Sequence, residues 1–296
     1  MNWKNLVIAV VAGDRREQEI ARLAAATRAE VRAYGFPWPE AGIPGVTPMP
    51  DAVSALSGAD IALFPIPGIA PDGALFAPQC PSRIIPDRRM LSGMRKPAHI
   101  ILGWADKNLK AHGEALGITF HEYEWDVGLM LLRGPAIVEG LLKIVIENTD
   151  VTIHKSRACI VGQGTIGFLV TRYLVALGAY THVAARNEVQ RAAAHAAGAE
   201  SHTLDELDAL APRLDIVIST VPAPVVRRQV LERLPGHALV VDLAAPPGGV
   251  DREAAKELGL KFVWARGMGM RAPVTVGQSQ WSGIRRRIES ILGENK

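Results

Sequence analysis

The spacing Gly162-x-Gly164-x-x-Gly167 restricts how this chain can fold more than any other feature, because of what flanks it. The apolar run at 158–161 predicts a buried strand that leads straight into the first glycine. The apolar periodicity over 168–177 predicts a helix stopped at Gly178, and 180–184 predicts a second strand. Strand, glycine-rich turn, helix and strand together form a dinucleotide-binding unit. Each glycine meets a separate demand. Gly162 permits the tight turn, Gly164 lets the backbone approach a pyrophosphate, and Gly167 lets the helix pack on the strand. The helix opens on Thr165 and Ile166, whose free N–H groups and positive dipole end suit the phosphates.

The second strand ends in Ala185-Arg186-Asn187. A site for NAD carries Asp or Glu here to accept from the ribose 2′-hydroxyl, and that carboxylate would repel a 2′-phosphate. A guanidinium binds phosphate through two charge-assisted bonds, and Asn187 adds a neutral donor. NADP is therefore the expected cofactor. The alternative is an arginine that ends a strand in solvent.

With 296 residues the chain is long enough for two domains, each with its own core. A hydrophobic share of 48% and a charged share of 21% are those of a globular protein, and disorder is not indicated. A formal charge of +3 is too small to imply nucleic acid, and the arginines at 285–287 read as a solvated helix face. Cys80 and Cys159 make no disulfide framework, and the histidines show no metal-ligand spacing, so no metal is expected. The apolar stretch at 6–12 runs directly into charge, and 127–146 is interrupted by Arg133, Glu139 and Lys143. Neither suits a signal sequence or a membrane span, so a reducing cytoplasm is expected.

The N-terminal half also alternates strand and helix. Strands are expected at 7–11, 30–34, 61–64, 99–102 and 119–121, with helices at 17–27, 51–56 and 107–116. Residues 65–97 are rich in proline and glycine and read as a long loop, functional or lid-like. Beyond the nucleotide fingerprint, further strands are expected at 215–220, 238–243 and 261–264, and a helix at 275–292. The expected fold class is α/β, with two doubly wound parallel-sheet domains and a cleft between them. Residues 1–146, with a returning C-terminal helix at 273–296, form a flavodoxin-like substrate domain, and 147–272 the Rossmann dinucleotide-binding domain. A homo-oligomer of unassigned symmetry is expected.

Ligands of such sheets bind beyond the carboxyl ends of the strands, which selects the remaining candidates. Thr220, Val221 and Pro222 follow a nucleotide-domain strand and either touch the cofactor or simply turn the chain. Asp242 ends the next strand and either faces the cofactor or braces the loop. In the first domain Asp14 and Arg16 follow the first strand. Arg16 is a candidate fork for a substrate carboxylate, and Asp14 either an N-cap or a substrate contact. Glu139, in the long apolar helix, is a structural partner or a proton acceptor. Lys107, Asn108 and Arg271 complete the cations and donors.

Several of these segments also carry a family resemblance. The stretch Asn148-Thr149-Asp150-Val151-Thr152-Ile153-His154, running into the glycine turn and Ala185-Arg186, resembles the A subunit of dipicolinate synthase. So do Val241-Asp242-Leu243-Ala244 with Pro247-Gly248-Gly249, Ala272-Pro273 with Thr275 and Gly277-Gln278, and Gly13-Asp14-x-Arg16. The similarity runs over essentially the whole chain. It departs from the family at 133–138, at Val274 and at 267–271, all in the expected substrate region. The resemblance implies a cytoplasmic enzyme of the mother cell of a spore-forming bacterium, in which NADP oxidises a hydroxylated tetrahydrodipicolinate. The partner it implies is a flavoprotein-like B subunit. Glu139 and Arg16 are then the catalytic candidates, with Asp14, Lys107, Asn108 and Arg271 for the dicarboxylate. Other readings are a shikimate- or 2-hydroxyacid-dehydrogenase-like enzyme and a non-catalytic NADP-sensing protein. The hydroxyacid reading lacks its histidine, because the last one, His237, precedes a strand.

Overall fold

A computed structural model describes residues 3–70 and 72–294; positions 1–2, Pro71 and 295–296 of the expected domain ranges lie outside the described residues. The chain divides into two compact units, one of residues 1–133 with 272–296 and the other of 134–271. The division falls inside the long Val127–Asn148 helix, one residue before Pro135, and not at the end of that helix. Pro135 has no N–H to donate to the preceding turn, so the helical ladder is interrupted where the units part.

The first unit is a six-stranded parallel sheet of β1 (Val7–Val11), β2 (Glu30–Tyr34), β3 (Val46–Pro48), β4 (Ile61–Leu63), β5 (Ala98–Leu102) and β6 (Ile118–Glu122). Its order is β3-β2-β1-β4-β5-β6. β1 is apolar throughout and buried throughout, as a central strand covered on both faces must be. The sequence reading missed β3, three residues ending in a proline at the sheet edge, where a missing N–H is tolerated. This strand corrects the flavodoxin-like assignment. Without it the order would be the flavodoxin type, and with it the order is that of the dinucleotide-binding fold. The expected lid at 65–97 is also corrected. Ile69, Leu75, Ile84, Met90, Leu91 and Met94 are all buried in this unit's core, and Arg88–Leu91 is helical. Hydrophobic anchors at that density make the segment part of the fold.

The second unit repeats the topology with β7 (Arg157–Val161), β8 (Tyr180–Ala184), β9 (Glu200–His202), β10 (Ile216–Ser219), β11 (Leu239–Asp242) and β12 (Lys261–Trp264). The order is β12-β11-β10-β7-β8-β9, all parallel. β7 supplies Ala158 and Ile160 to one core and Cys159 and Val161 to the other, which is why its sequence is unbroken apolar. Burial pushes the Cys159 thiol up to about 12, so it packs as an inert small side chain. Among the described residues no helix is long and apolar enough to cross a membrane.

The Pro273–Glu294 helix belongs to the first unit and packs across the Arg15–Ala25 helix. Gly277 makes this close approach possible: a Cβ there would stand 2.7 Å from Glu19 Cβ and 2.8 Å from the Arg16 carbonyl oxygen. Gly277→Val must therefore push the two helices apart. We expect a loss of about 1–3 kcal/mol in chemical denaturation, whereas Gly293→Val, with no atom near its Cβ, should cost much less.

Candidate active site

The glycine turn after β7 has the geometry its spacing demands. Gly162 sits at φ +97°, and a Cβ on it would meet Val221 Cγ2 at 2.5 Å and Thr220 Oγ1 at 2.7 Å. Gly167 packs against the Gly162 carbonyl so closely that no side chain fits between them. Gly164 differs from both. It is the N-cap of the Thr165–Ala176 helix, it makes no side-chain capping bond, and a Cβ on it would meet no atom within 4 Å. Gly162 and Gly167 hold the turn together, while Gly164 leaves room above a helix terminus whose N–H groups lack side-chain caps. A pyrophosphate fits this combination. Gln163 lies buried in the same turn, and its Oε1 accepts from the Thr171 hydroxyl at 2.9 Å. Its Nε2 is buried without a partner among the described residues.

Other residues of the nucleotide unit fall into two groups. Arg186 and Asn187 are exposed directly after β8, where the Ala185 side chain brings no carboxylate. Asn187 caps the next helix through Oδ1, which accepts from the Gln190 N–H at 2.8 Å, so only its amide donors remain available. Arg191, which the sequence reading passed over, donates to the Ala185 and Arg186 carbonyls and adds a second cation beside them. Thr220, Val221 and Asp242 face inward as braces, whereas Pro222 is exposed. The Thr220 hydroxyl donates to the Val161 and Gly162 carbonyls at 3.2 Å and so clamps the glycine turn. Asp242 corrects the expectation of a cofactor contact. It is fully buried, and its oxygens accept from the N–H groups of Ala244, Gly249 and Val250 at 2.9, 2.7 and 3.3 Å. The Pro247-Gly248-Gly249 loop is folded around this carboxylate.

Glu139 and Arg271, expected in separate roles, pair with each other at 2.5 Å. Both are roughly half exposed, so the pair is open to solvent and to ligands.

In the first unit the equivalent turn after β1 is closed by the protein's own charges. Ala12, at φ +67°, takes the backbone position of Gly162, Asp14 caps the first helix as Gly164 caps its counterpart, and Glu17 stands where Gly167 stands. Asp14 accepts from the Arg16 N–H at 2.9 Å, and Glu17 accepts from the Asp14 N–H at 2.7 Å and the Ile66 N–H at 3.0 Å. The donors that would meet a phosphate are thus already satisfied. The expectation that Arg16 grips substrate is corrected by the same geometry. Its Nε and Nη2 bind the Asp14 carboxylate at 2.9 and 2.8 Å, both residues are buried, and the guanidinium lies over the Phe76 ring. Asp14 is equally committed. Lys107 and Asn108, by contrast, are exposed at the start of a helix capped by Asp106, just beyond β5.

Glu17 was not singled out from the sequence, where it reads as the third residue of a capping box. Burial pushes its carboxyl up to about 7, against the opposing pull of Arg16 and the two backbone donors. Tyr123 lies in the same cluster, its phenol pushed upward by burial and by Glu17, and its hydroxyl has no partner among the described residues.

Two family models match separate parts of the chain. The family model for the N-terminal domain of the dipicolinate synthase A subunit matches residues 7–124, and that for shikimate / quinate 5-dehydrogenase matches 144–259. The dipicolinate synthase A subunit of Bacillus subtilis (strain 168) is 28% identical over 295 residues, 98% of either chain. A crystal structure of the same protein from Bacillus halodurans aligns at TM-score 0.86 and 26% identity, covering 95% of this chain and 98% of its own. The Bacillus subtilis structure aligns at TM-score 0.87 and 25% identity, over 99% and 98%. Residues 7–124 carry the N-terminal domain of dipicolinate synthase A subunits, and the chain is similar to those subunits from end to end. A transhydrogenase from Sinorhizobium meliloti, 16% identical at TM-score 0.70 over 96% and 94% of the two chains, shares the fold alone. Among the segments that carry the family resemblance, the Asp242 loop and Thr152-Ile153-His154 are structural here. The Thr152 hydroxyl donates to the His154 carbonyl, and the His154 ring packs over Gly178. The second domain relates this A-subunit homologue to NAD(P)-dependent dehydrogenases.

A carboxyl raised from its ordinary 4.5 to about 7 stabilises the fold fully below pH 4.5 and loses that contribution as pH rises through 7. Glu17→Gln cannot titrate. The unfolding free energy of the native sequence relative to Glu17→Gln should therefore fall by roughly 2–4 kcal/mol between pH 4.5 and pH 8. Urea denaturation of both proteins across that range measures it, and a flat difference would refute the assignment.

Proposed function

We propose that this protein is the catalytic A subunit of a dipicolinate synthase, using NADP to convert a hydroxylated tetrahydrodipicolinate to dipicolinate in the mother cell of a spore-forming bacterium. The observation that carries the proposal is the uncapped, open helix terminus at Gly164 within a chain related end to end to that family. The ring alcohol leaves as water, giving a dihydropyridine. Loss of one hydride and one proton then gives the aromatic ring, whose stability drives the step. NADP, when bound, supplies the hydride acceptor. Gly162, Gly164, Thr165, Ile166 and Gly167 would hold its pyrophosphate, and Arg186, aided by Asn187 and Arg191, its 2′-phosphate. Thr220, Val221 and Asp242 keep the surrounding loops in place.

The protein's own work is then to bind two carboxylates and to accept a proton. Lys107 and Asn108 carry the first task in the first unit, since Arg16 and Asp14 are spent on each other. Glu139, positioned by Arg271, is the proton acceptor. A flavoprotein-like B subunit for a partner, assembly into a homo-oligomer and a cytoplasmic location complete the reading.

Arg186→Asp should weaken NADP much more than NAD, because only the 2′-phosphate distinguishes them; equal losses in a binding titration would remove the NADP assignment. Gly164→Val fills open space and so should keep the fold by circular dichroism, yet abolish dinucleotide binding. Retained binding would move the pyrophosphate elsewhere. In steady-state kinetics with saturating NADP, Lys107→Ala should raise KM about tenfold or more, the worth of a charged hydrogen bond. Glu139→Gln should instead lower kcat at near-constant KM. Wild-type values from both variants would exclude these residues from the site.

A further inference from the structure

No metal-ligand spacing is visible along the chain, but the second sheet assembles a set of ligands from two strands. β8 and β9 pair in parallel with His182 opposite Glu200 and Ala184 opposite His202. Side chains alternate along a strand, so His182, Glu200 and His202 emerge on one face. His182 Nδ1 lies 3.1 Å from His202 Nε2 and 3.4 Å from Glu200 Oε2, and His202 Nε2 lies 3.6 Å from Glu200 Oε1. Two ligands of a tetrahedral zinc ion, at bond lengths of about 2.0–2.2 Å, stand roughly 3.3–3.5 Å apart. The three observed separations bracket that edge. Among the described residues this is the one group of three or more His, Cys, Asp or Glu side chains placed to hold a metal ion.

We propose that His182, Glu200 and His202 form a binding site for a zinc-class divalent cation that clamps β9 to β8. Imidazole nitrogens with one carboxylate suit zinc, copper or nickel better than calcium or magnesium, which prefer all-oxygen sites. The two histidines are largely buried and fix the geometry, while Glu200 is mostly exposed and leaves a fourth position open to water. The need for a clamp is local. β9 has only three residues and forms the edge of the sheet, held by one neighbour. β8, the other half of the clamp, ends immediately before Ala185 and Arg186.

The first unit contains a natural control. His99 and His121 occupy the same diagonal positions on β5 and β6, with the same ring separation of 5.3 Å and tilt of 42° as His182 and His202. There, however, the residue opposite His99 is Thr119, which offers no carboxylate. Among the described residues no third ligand completes a group with this pair, whereas Glu200 completes one with His182 and His202.

The experiment titrates the full-length, chelator-stripped protein, free of any histidine tag, with Zn²⁺ against a chromophoric competitor. One equivalent should bind. Glu200→Gln, a change at an exposed side chain, should weaken binding by about tenfold or more, and His202→Ala should abolish it, while His121→Ala binds as the native protein does. Co²⁺ in place of Zn²⁺ should give the intense visible bands of a four-coordinate site in the native protein and lose them in Glu200→Gln. Circular dichroism confirms that each variant is folded. Absence of binding by the native protein, equal binding by all variants, or loss only in His121→Ala overturns the proposal.

Discussion

The close approach of the Gly167 backbone to the Gly162 carbonyl is the contact on which the rest of the nucleotide unit depends. It brings the Thr165–Ala176 helix down onto the end of β7 and aims that helix terminus over the sheet. Thr220, from the end of β10, locks the arrangement by donating to the Val161 and Gly162 carbonyls. A side chain at either glycine would lift the helix and lose the turn. Of the three turn glycines only Gly164, on which a Cβ would meet no atom within 4 Å, is free of packing duty.

The first unit shows what the same topology becomes when the turn is filled from within. Its strand order is that of the second unit, and its first turn also needs a left-handed residue, yet Asp14 and Glu17 take the donors that the nucleotide unit leaves open. Arg16 then neutralises Asp14, and the result is a buried ionic cluster. Such a cluster costs desolvation and yields little net stability beside an apolar core of equal volume. Losing one member leaves a buried charge uncompensated, which makes Arg16 a poor probe of substrate binding and a good probe of folding.

Much of the fold was legible because parallel sheets announce themselves. Strands buried on both faces, such as 7–11 and 158–161, must be continuously apolar, and helices between them must show one apolar stripe. The strands left unread were β3 and β9, each three residues long and at a sheet edge, with polar residues or a proline that no central strand would tolerate. Missing them had consequences. Without β3 the first unit reads as flavodoxin-like, and without β9 the histidines at 182 and 202 look unrelated. The buried segment at 65–97 reads as a loop because its anchors have no regular period, although they fill the core all the same.

The sequence by itself determined the nucleotide turn, the strand that leads into it and the absence of a carboxylate beside Arg186, because these follow from local backbone geometry and from one residue's chemistry. It left open the fate of each charged side chain. Arg16 was expected to reach a ligand and instead holds Asp14; Glu139 and Arg271 were given separate roles and meet; Asp242 was offered to a cofactor or a loop and serves the loop. Only the tertiary structure decides such pairings. A charged side chain takes whichever partner the fold brings within reach, near in sequence as Asp14 is to Arg16 or distant as Arg271 is from Glu139, and sequence spacing alone does not choose between them.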